Sequence, residues 1–419
     1  MNKRQPIILH LTKEVQDGAG EYTMNIHQNM LRNGYSSYMA ILQEAAILYP
    51  NGERIDISFT RNCLLDKAHR WLYSKIAKHC APMATKYAAH NMYERFMCYS
   101  PKDLVDALPI NPDVIFVHWV SGYANARYVY ELQQLTGARV IHWVLDDALL
   151  SGACHYPWNC EQYQTGCKQC PMTESKYMQW HIRRNFLYKK RYMMQPKEVI
   201  VPTEMDRIRI EKSLLWHDAK IYKMLEFADE NRYVPAQDIK MLRELFQIPD
   251  GKRVVFFGCT YLNDERKGMP VLAEAIKKID REDVVFLAAG RFELPIKKEN
   301  IIKLGYLDTD TLIKVYQVAD CFVCSSLEDS GPQMINQAIM CGTPVVAFEM
   351  GVALDLVKTG QTGYLAKWNN ADDLANGINY MMDISEKELN AMKKTCRILS
   401  LKTHSSDALS ALFNTILNQ

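Results

Sequence analysis

Short apolar runs alternate with polar, turn-bearing segments along the whole chain, and the alternation restarts once. Pro6 to Leu11, Ser37 to Leu42, Asp113 to Trp119, Arg139 to Leu145 and Val199 to Pro202 are rich in Ile, Val and Leu. Runs of this kind, with few polar positions, read as strands buried on both faces of a parallel sheet. The segments between them carry helical spacing, from about Thr23 to Asn33 with Gly34 as the stop, and from Glu204 to Leu215. Tyr222 to Leu225 reads as another strand, and the polar stretch Phe227 to Gln237 reads as a linker. The same grammar then resumes with Lys252 to Gly258, Phe286 to Gly290, Ile301 to Leu304, Cys321 to Cys324 and Val345 to Phe348. A strand-helix pattern stated twice predicts an α/β protein of two facing Rossmann-like domains, with a ligand cleft between them.

The most informative stretch runs from Cys321 to Phe348. Ser325 to Gly331 is a polar turn, and Pro332 sits where the first helical turn tolerates a missing N–H. Asp329 or Ser330 is placed to cap the helix. Ile335 and Ile339 repeat at helical spacing, as do Met334 and Ala338, until Gly342 and Pro344 end the element. In a parallel sheet, the carboxyl end of a strand and the following helix N-terminus form a crevice that favours phosphate.

Charge narrows the range of partners. The 419 residues hold 50 Lys and Arg against 48 Asp and Glu, a formal net charge of +2, which argues against a globally basic nucleic-acid binder. The run before Thr12 is too short for a signal peptide, and no apolar stretch approaches the roughly 18 residues of a spanning helix. The expected location is cytoplasmic.

Two segments depart from neutrality. Arg61 to Tyr87 carries Arg61, Lys67, Arg70, Lys75, Lys78 and Lys86 against Asp66, with Leu65, Leu72, Ile76 and Trp71 as an apolar stripe. Arg183 to Lys197 is a second basic helix, containing Phe186, Leu187 and Tyr188. Either a membrane-facing surface or a solvated face over a core-packed stripe fits this pattern.

Of the twelve cysteines, Cys63, Cys80, Cys98, Cys259, Cys321, Cys324, Cys341 and Cys396 are scattered, and they read as small core residues. The other four, Cys154, Cys160, Cys167 and Cys170, fall in one loop, the last two spaced C-x-x-C. That set suits tetrahedral thiolate ligation of a structural zinc, with His155 as an alternate ligand and reduced packing thiols as the competing account. Such an ion would hold a loop and perform no chemistry.

The string Glu328-Asp329-Ser330-Gly331-Pro332, with Gln337-Ala338 and Cys341-Gly342-Thr343-Pro344-Val345-Val346, resembles the donor-site motif of glycosyltransferase family 4, retaining enzymes of the GT-B fold. Asp146, Ser151, Gly152, Cys154, His155 and Tyr156 resemble a signature of its colanic-acid and capsule branch, although the family histidine falls on Leu145. His118 and His142 are the nearby candidates to replace it, and His118 is kept as a site residue. The resemblance implies that Gly18 and Gly20 form the Gly-rich loop before the first helix. It places Lys267 on the donor diphosphate, ahead of Gly268 and beyond the strand end at Gly258. Cys259 stands where the family has a first arginine, so Arg266 is expected to supply that charge. Tyr306, after Gly305, falls where the family holds the nucleobase, and the Ser330 and Gly331 backbone falls where it meets phosphate. The two family glutamates correspond to Asp329 and Gln337; whether Asp329 or Glu328 faces the sugar stays open.

The implied domains are 1–228 on the acceptor side and 229–401 on the donor side, with a last helix of about 402–419 packing back on the first. The implied activity is a retaining hexosyl-type transfer, from a nucleotide-diphosphate sugar to a glycan or lipid-linked glycan in surface polysaccharide biosynthesis. It needs no catalytic cofactor. The expected partners are the donor, the acceptor and an anionic membrane surface met peripherally on the inner face, with no nucleic acid. Two alternatives remain: a nucleotide-sugar epimerase of the same fold, and a non-catalytic donor-binding scaffold.

Overall fold

The structure is a computed structural model that describes residues 5–16, 18–59, 64–77, 85–88, 90–96, 99–291, 296 and 298–417. The chain divides into two compact units. Unit 1 comprises Met1–Pro202, Asp206–Lys223 and Phe413–Gln419; unit 2 comprises Thr203–Met205 and Met224–Leu412.

Unit 1 is built on strands β1 (Ile7–Thr12), β2 (Ser36–Ile41), β3 (Ala46–Leu48), β4 (Arg54–Asp56), β5 (Val114–Val117), β6 (Arg139–Trp143), β7 (Glu198–Val201) and β8 (Lys220–Lys223). They lie in the order β4-β3-β2-β1-β5-β6-β7-β8. Pairing is parallel from β2 to β8, and β3 and β4 add an antiparallel edge. The continuous apolar runs follow from burial on both faces: Ile8, Leu11, Ile115, Phe116 and Ile141 are wholly enclosed. Phe413 packs against Phe116 and Trp143, tying the end of the chain to this unit.

Unit 2 holds β9 (Arg253–Tyr261), β10 (Val284–Arg291), β11 (Ile301–Gly305), β12 (Cys321–Cys324), β13 (Val345–Phe348) and β14 (Gly363–Ala366). All pairs are parallel, in the order β11-β10-β9-β12-β13-β14. That is the doubly wound order, whose direction reverses between β9 and β12. A crevice outside the carboxyl ends of the strands opens at such a reversal. The reversal in unit 1 falls between β1 and β5.

Several boundaries differ from the sequence expectation. The first helix begins at Gly18, so Gly18 and Gly20 lie in its first turn and not ahead of it. Gly20 must be glycine there, because a Cβ would stand 2.3 Å from the Glu14 carbonyl oxygen. The helix after β7 ends at Lys212, and the next strand begins at Lys220. Phe227 to Gln237 is not a free polar linker: Phe227, Ala228 and Tyr233 are buried, and Arg397 donates to the Glu230 and Tyr233 carbonyls.

The basic helices also carry less free charge than their composition implies. Lys189 is buried and donates to the Ala148 and Ser151 carbonyl oxygens, Lys197 is paired with Asp218, and Phe186 is fully enclosed. In the first of them, Trp71 of the apolar stripe is 63% and Leu72 50% exposed, while Tyr73 turns inward. Arg61 and Lys78 lie outside the described residues, as do Cys63, Cys80, Cys98 and the Leu65 side chain.

Candidate functional site

In unit 2 the reversal between β9 and β12 gathers two segments. After β9 the chain makes a single 3-10 turn, Glu265–Lys267, capped by the Asp264 carboxylate on the Arg266 N–H at 2.9 Å, and closes it with Gly268 at φ +65°. Gly268 permits a close approach: a Cβ there would fall 1.9 Å from the Ser325 carbonyl oxygen. The loop after β12 lies directly against this turn. Ser325 Oγ donates to the Lys267 carbonyl at 2.8 Å, and the Leu327 N–H donates to the Arg266 carbonyl at 2.7 Å.

The side chains then meet. Arg266 Nη1 donates to Asp329 Oδ2 at 2.7 Å and to the Glu328 carbonyl at 3.2 Å, and Lys267 Nζ donates to Asp329 Oδ2 at 2.5 Å. Burial raises the Asp329 carboxyl, but the charges and hydrogen bonds of Lys267 and Arg266 outweigh it and hold the group below its ordinary range. Asp329 is therefore a buried anion between two cations and not a helix cap. The helix Gln333–Met340 starts at Pro332 with no side-chain cap, and the buried Ser330 hydroxyl has no partner among the described residues. A turn that offers two cations beside a loop entering a helix N-terminus is suited to an oxyanion.

The other expected donor residues have neighbours of their own. Gly258 lies within β9, where a Cβ would meet the Ala289 carbonyl at 2.5 Å. Cys259 is buried, which pushes its thiol up to about 11. Gln337 is nine-tenths buried, and its carbonyl accepts from the Tyr316 hydroxyl at 3.2 Å. Tyr306 is exposed, with the Arg291 guanidinium 4.4 Å over its ring and the Tyr261 ring on the same arginine at 5.8 Å. Gly331 lies beside the buried Glu226, whose carboxylate would be 3.3 Å from an added Cβ. Arg291 and Glu226 carry no local sequence signal, since strand pairing and chain return bring them here.

Unit 1 holds a second polar assembly beside its own reversal point. His118, at the end of β5, faces His10 Nδ1 at 2.9 Å through Nε2, and His10 Nε2 meets Met30 Sδ at 3.1 Å. Thioether sulfur only accepts, so His10 carries its proton on Nε2, His118 donates from Nε2, and His118 Nδ1 keeps a lone pair. Burial lowers His118 to about 3 and His142 to about 4, leaving both neutral at pH 7. His118 Nδ1, His142 Nδ1 and Trp143 Nε1 have no partner among the described residues, and all three residues line a cavity of about 100 Å³.

Ser121 and Asp146 line the same cavity, and His155 meets both of them from outside its lining. His155 Nδ1 lies 2.6 Å from Asp146 Oδ2, and its Nε2 faces Ser121 Oγ at 3.3 Å. Burial raises the Asp146 carboxyl, but His155 and the Ala148 N–H more than offset this and lower it. With its ring held by Asp146 and Ser121, His155 belongs to this group and not to the cysteine loop. Sequence reasoning singled out Asp146 and His155 by motif but missed Ser121, which a turn after β5 delivers. Gly18 is exposed at the start of the first helix, while Gly20 is enclosed. The four loop cysteines line one small cavity, and burial raises every one of their thiols, Cys170 to about 11. Among the described residues no three His, Cys, Asp or Glu side chains stand as a formed metal site.

Residues 251–383 match the family model described as Glycosyl transferases group 1. An uncharacterized glycosyltransferase of Methanocaldococcus jannaschii is 26% identical over 159 residues, 35% of this chain and 40% of that protein. A Bacillus subtilis protein described as a glycosyltransferase, YtcC, is 24% identical over 220 residues, 45% of this chain and 53% of its own length. The chain thus spans about half the length of the curated relatives it matches. Among solved structures, sucrose-phosphate synthase of Thermosynechococcus elongatus aligns with TM-score 0.66 and 17% identity over 99% of each chain. Anabaena HepE, solved with UDP and glucose, aligns with TM-score 0.63 and 15% identity over 99% of this chain and 100% of its own. The fold is GT-B: two Rossmann-like units, one with an all-parallel sheet and one with a parallel sheet extended by an antiparallel edge.

Proposed function

We propose that this chain is a retaining glycosyltransferase that moves a hexosyl group from a nucleotide-diphosphate sugar to a glycan or lipid-linked glycan acceptor in surface polysaccharide synthesis. The observation that carries the reading is the Arg266–Lys267 pair on a glycine-closed turn, set against the Asp329–Gly331 loop at the reversal point of unit 2. A departing diphosphate carries its developing charge on phosphate oxygens, and fixed cations with oriented N–H groups stabilise that charge at little reorganisation cost. The family match over residues 251–383 and the UDP complexes of Anabaena HepE lend the same support. In this reading the leaving phosphate oxygen takes the acceptor proton, so no protein nucleophile is assigned.

The acceptor side belongs to unit 1. Two neutral imidazoles, an indole N–H and the Ser121 hydroxyl around one cavity favour an uncharged, hydroxylated group such as a sugar. We extend the proposal to the membrane surface. Tyr73 stacks on His181 at 4.2 Å, which sets the helix Leu64–Ala77 beside Lys176–Arg191. Trp71, Leu72, Trp180 and Leu187 are exposed on these helices among Lys75, Arg183, Arg184 and Lys190. Apolar side chains within a basic field suit the interface of an anionic bilayer. No described helix is long and apolar enough to cross a membrane.

One observation favours a second reading: Asp329 neutralises the cations that would meet the diphosphate, as suits a donor-binding scaffold without turnover. Incubation with a panel of nucleotide sugars, with and without glycan acceptors, separates the accounts. Transfer that requires acceptor supports the proposal, isomerisation of the donor indicates an epimerase, and binding without turnover indicates the scaffold.

A further inference from the structure

The loop from Ser151 to Ser175 has almost no regular structure, a single 3-10 turn at Gln162–Gln164, yet it forms one wall of unit 1. A segment this long without secondary structure needs something other than a ladder of backbone hydrogen bonds to fix it. Its turns are specialised. Gly166 and Cys167 follow one another at φ +96° and +52°, a left-handed corner that a side-chain-bearing residue such as cysteine seldom adopts. That corner turns Cys167 inward, where it is buried.

Cys154, Cys160, Cys167 and Cys170 all line one cavity of about 20 Å³, walled otherwise by apolar side chains and backbone. That volume is room for about one water-sized occupant. Backbone N–H groups approach three of the sulfurs. The Gln162 N–H approaches Cys160 and the Met172 N–H approaches Cys170, each two residues further along the chain, and the Gly152 N–H approaches Cys167; the Ser151 hydroxyl is taken by the Cys154 carbonyl. Thiols packed as small hydrophobes need no such donors, whereas sulfurs bearing negative charge do, and outer hydrogen bonds of this type orient metal ligands.

We propose that Cys154, Cys160, Cys167 and Cys170 form a tetrathiolate site for one structural zinc ion. Four sulfur ligands in a closed, redox-inert tetrahedral site are the pattern zinc takes when it staples a loop. As they stand the sulfurs line the cavity without closing on one point, and binding closes them. The proton of each thiol leaves to solvent as its sulfur bonds the ion, so four protons are released per zinc bound. The site does no chemistry itself. It fixes the segment that carries Ser151 and His155, and through the Lys189 bond to the Ser151 carbonyl it anchors the wall of the neighbouring cavity.

The test uses the full chain purified without added metal. Elemental analysis is expected to give one zinc per chain, and a thiol reagent is expected to react with four more cysteines after a strong chelator than before it. Refilling with cobalt should give the intense sulfur-to-metal absorption of a thiolate site. Cys160→His should keep the zinc and Cys160→Ala should lose it; the cobalt spectrum of the wild-type chain decides the matter if the alanine variant does not fold. Substoichiometric zinc with all four thiols reactive overturns the proposal. So does a disulfide among these cysteines mapped under non-reducing conditions, or a stoichiometric metal other than zinc.

Discussion

Lys267 donates to the Asp329 carboxylate at 2.5 Å across 62 positions of sequence, and the bond joins the turn after β9 to the loop after β12. Arg266 reaches the same oxygen at 2.7 Å. The three groups are largely sheltered from water, so their interactions are stronger than those of a surface pair.

Lys267→Ala is expected to lower kcat/KM for transfer by about a hundredfold or more while the chain still folds, with Arg266 left to pair with Asp329. A cation aimed at developing phosphate charge in a sheltered site is worth about 3 kcal/mol. Near-normal kcat/KM would remove Lys267 from the site.

Asp329→Asn and Glu328→Gln should behave differently. Asp329 competes with a diphosphate for both cations, so its neutralisation is expected to tighten binding of a nucleoside diphosphate about tenfold, roughly the 1.5 kcal/mol of one charged hydrogen bond. At Glu328 the backbone carbonyl accepts from Arg266, and Glu328→Gln keeps that carbonyl. Calorimetric titration of UDP reads the contrast; equal affinities in the two variants would show that Asp329 does not govern the cations.

Gly268→Ala tests the close approach at the turn. A Cβ placed 1.9 Å from the Ser325 carbonyl, at φ +65°, forces the turn away from β12. A loss of stability above about 1 kcal/mol is expected, with transfer falling further than stability because Arg266 and Lys267 move. A variant with parental urea midpoint and activity would contradict the contact.

Acid should destabilise this protein through its histidines. Burial lowers His27, His142, His181 and His404 to about 4, His118 to about 3, and His10 well below its usual value. Between the unfolded value near 6.5 and these folded values the unfolded chain binds more protons. Stability is therefore full above about pH 6.5 and is lost as pH falls towards about 4, by about 1.4 kcal/mol per buried ring for each pH unit at most. Urea unfolding at pH 7 and pH 5 measures this; equal free energies would show that the rings are protonated when folded.

Association with vesicles tests the membrane-facing surface. Binding to anionic vesicles should weaken with salt, since each basic residue near the surface adds about 1 kcal/mol of screened attraction. Charge reversal at Lys75, Arg183 and Arg184 should reduce it without altering donor hydrolysis, whereas Lys189, being buried, is the wrong residue to change. Equal affinity for anionic and neutral vesicles at low salt would favour a soluble acceptor.

The strands, the α/β class and the β12-turn-helix-β13 unit were legible because they rest on local periodicity: apolar runs bounded by Gly, Pro and Asp mark their own ends. The pairing of Arg266 and Lys267 with Asp329, the Ser121–His155–Asp146 array and the placing of Arg291 over Tyr306 were not. They depend on β9 lying next to β12 and β10, and on β5 next to β6, an order that no window of neighbouring residues encodes. Burial was equally hidden at Lys189 and Phe186, where one helix carries charge by composition but turns those positions inward. Sequence alone determined which segments are strands and helices, because backbone preference and hydrophobic period act over a few residues. Tertiary structure alone decided which cations share an anion and which imidazoles stay neutral, because charge and desolvation act through space across segments that only the sheet brings together.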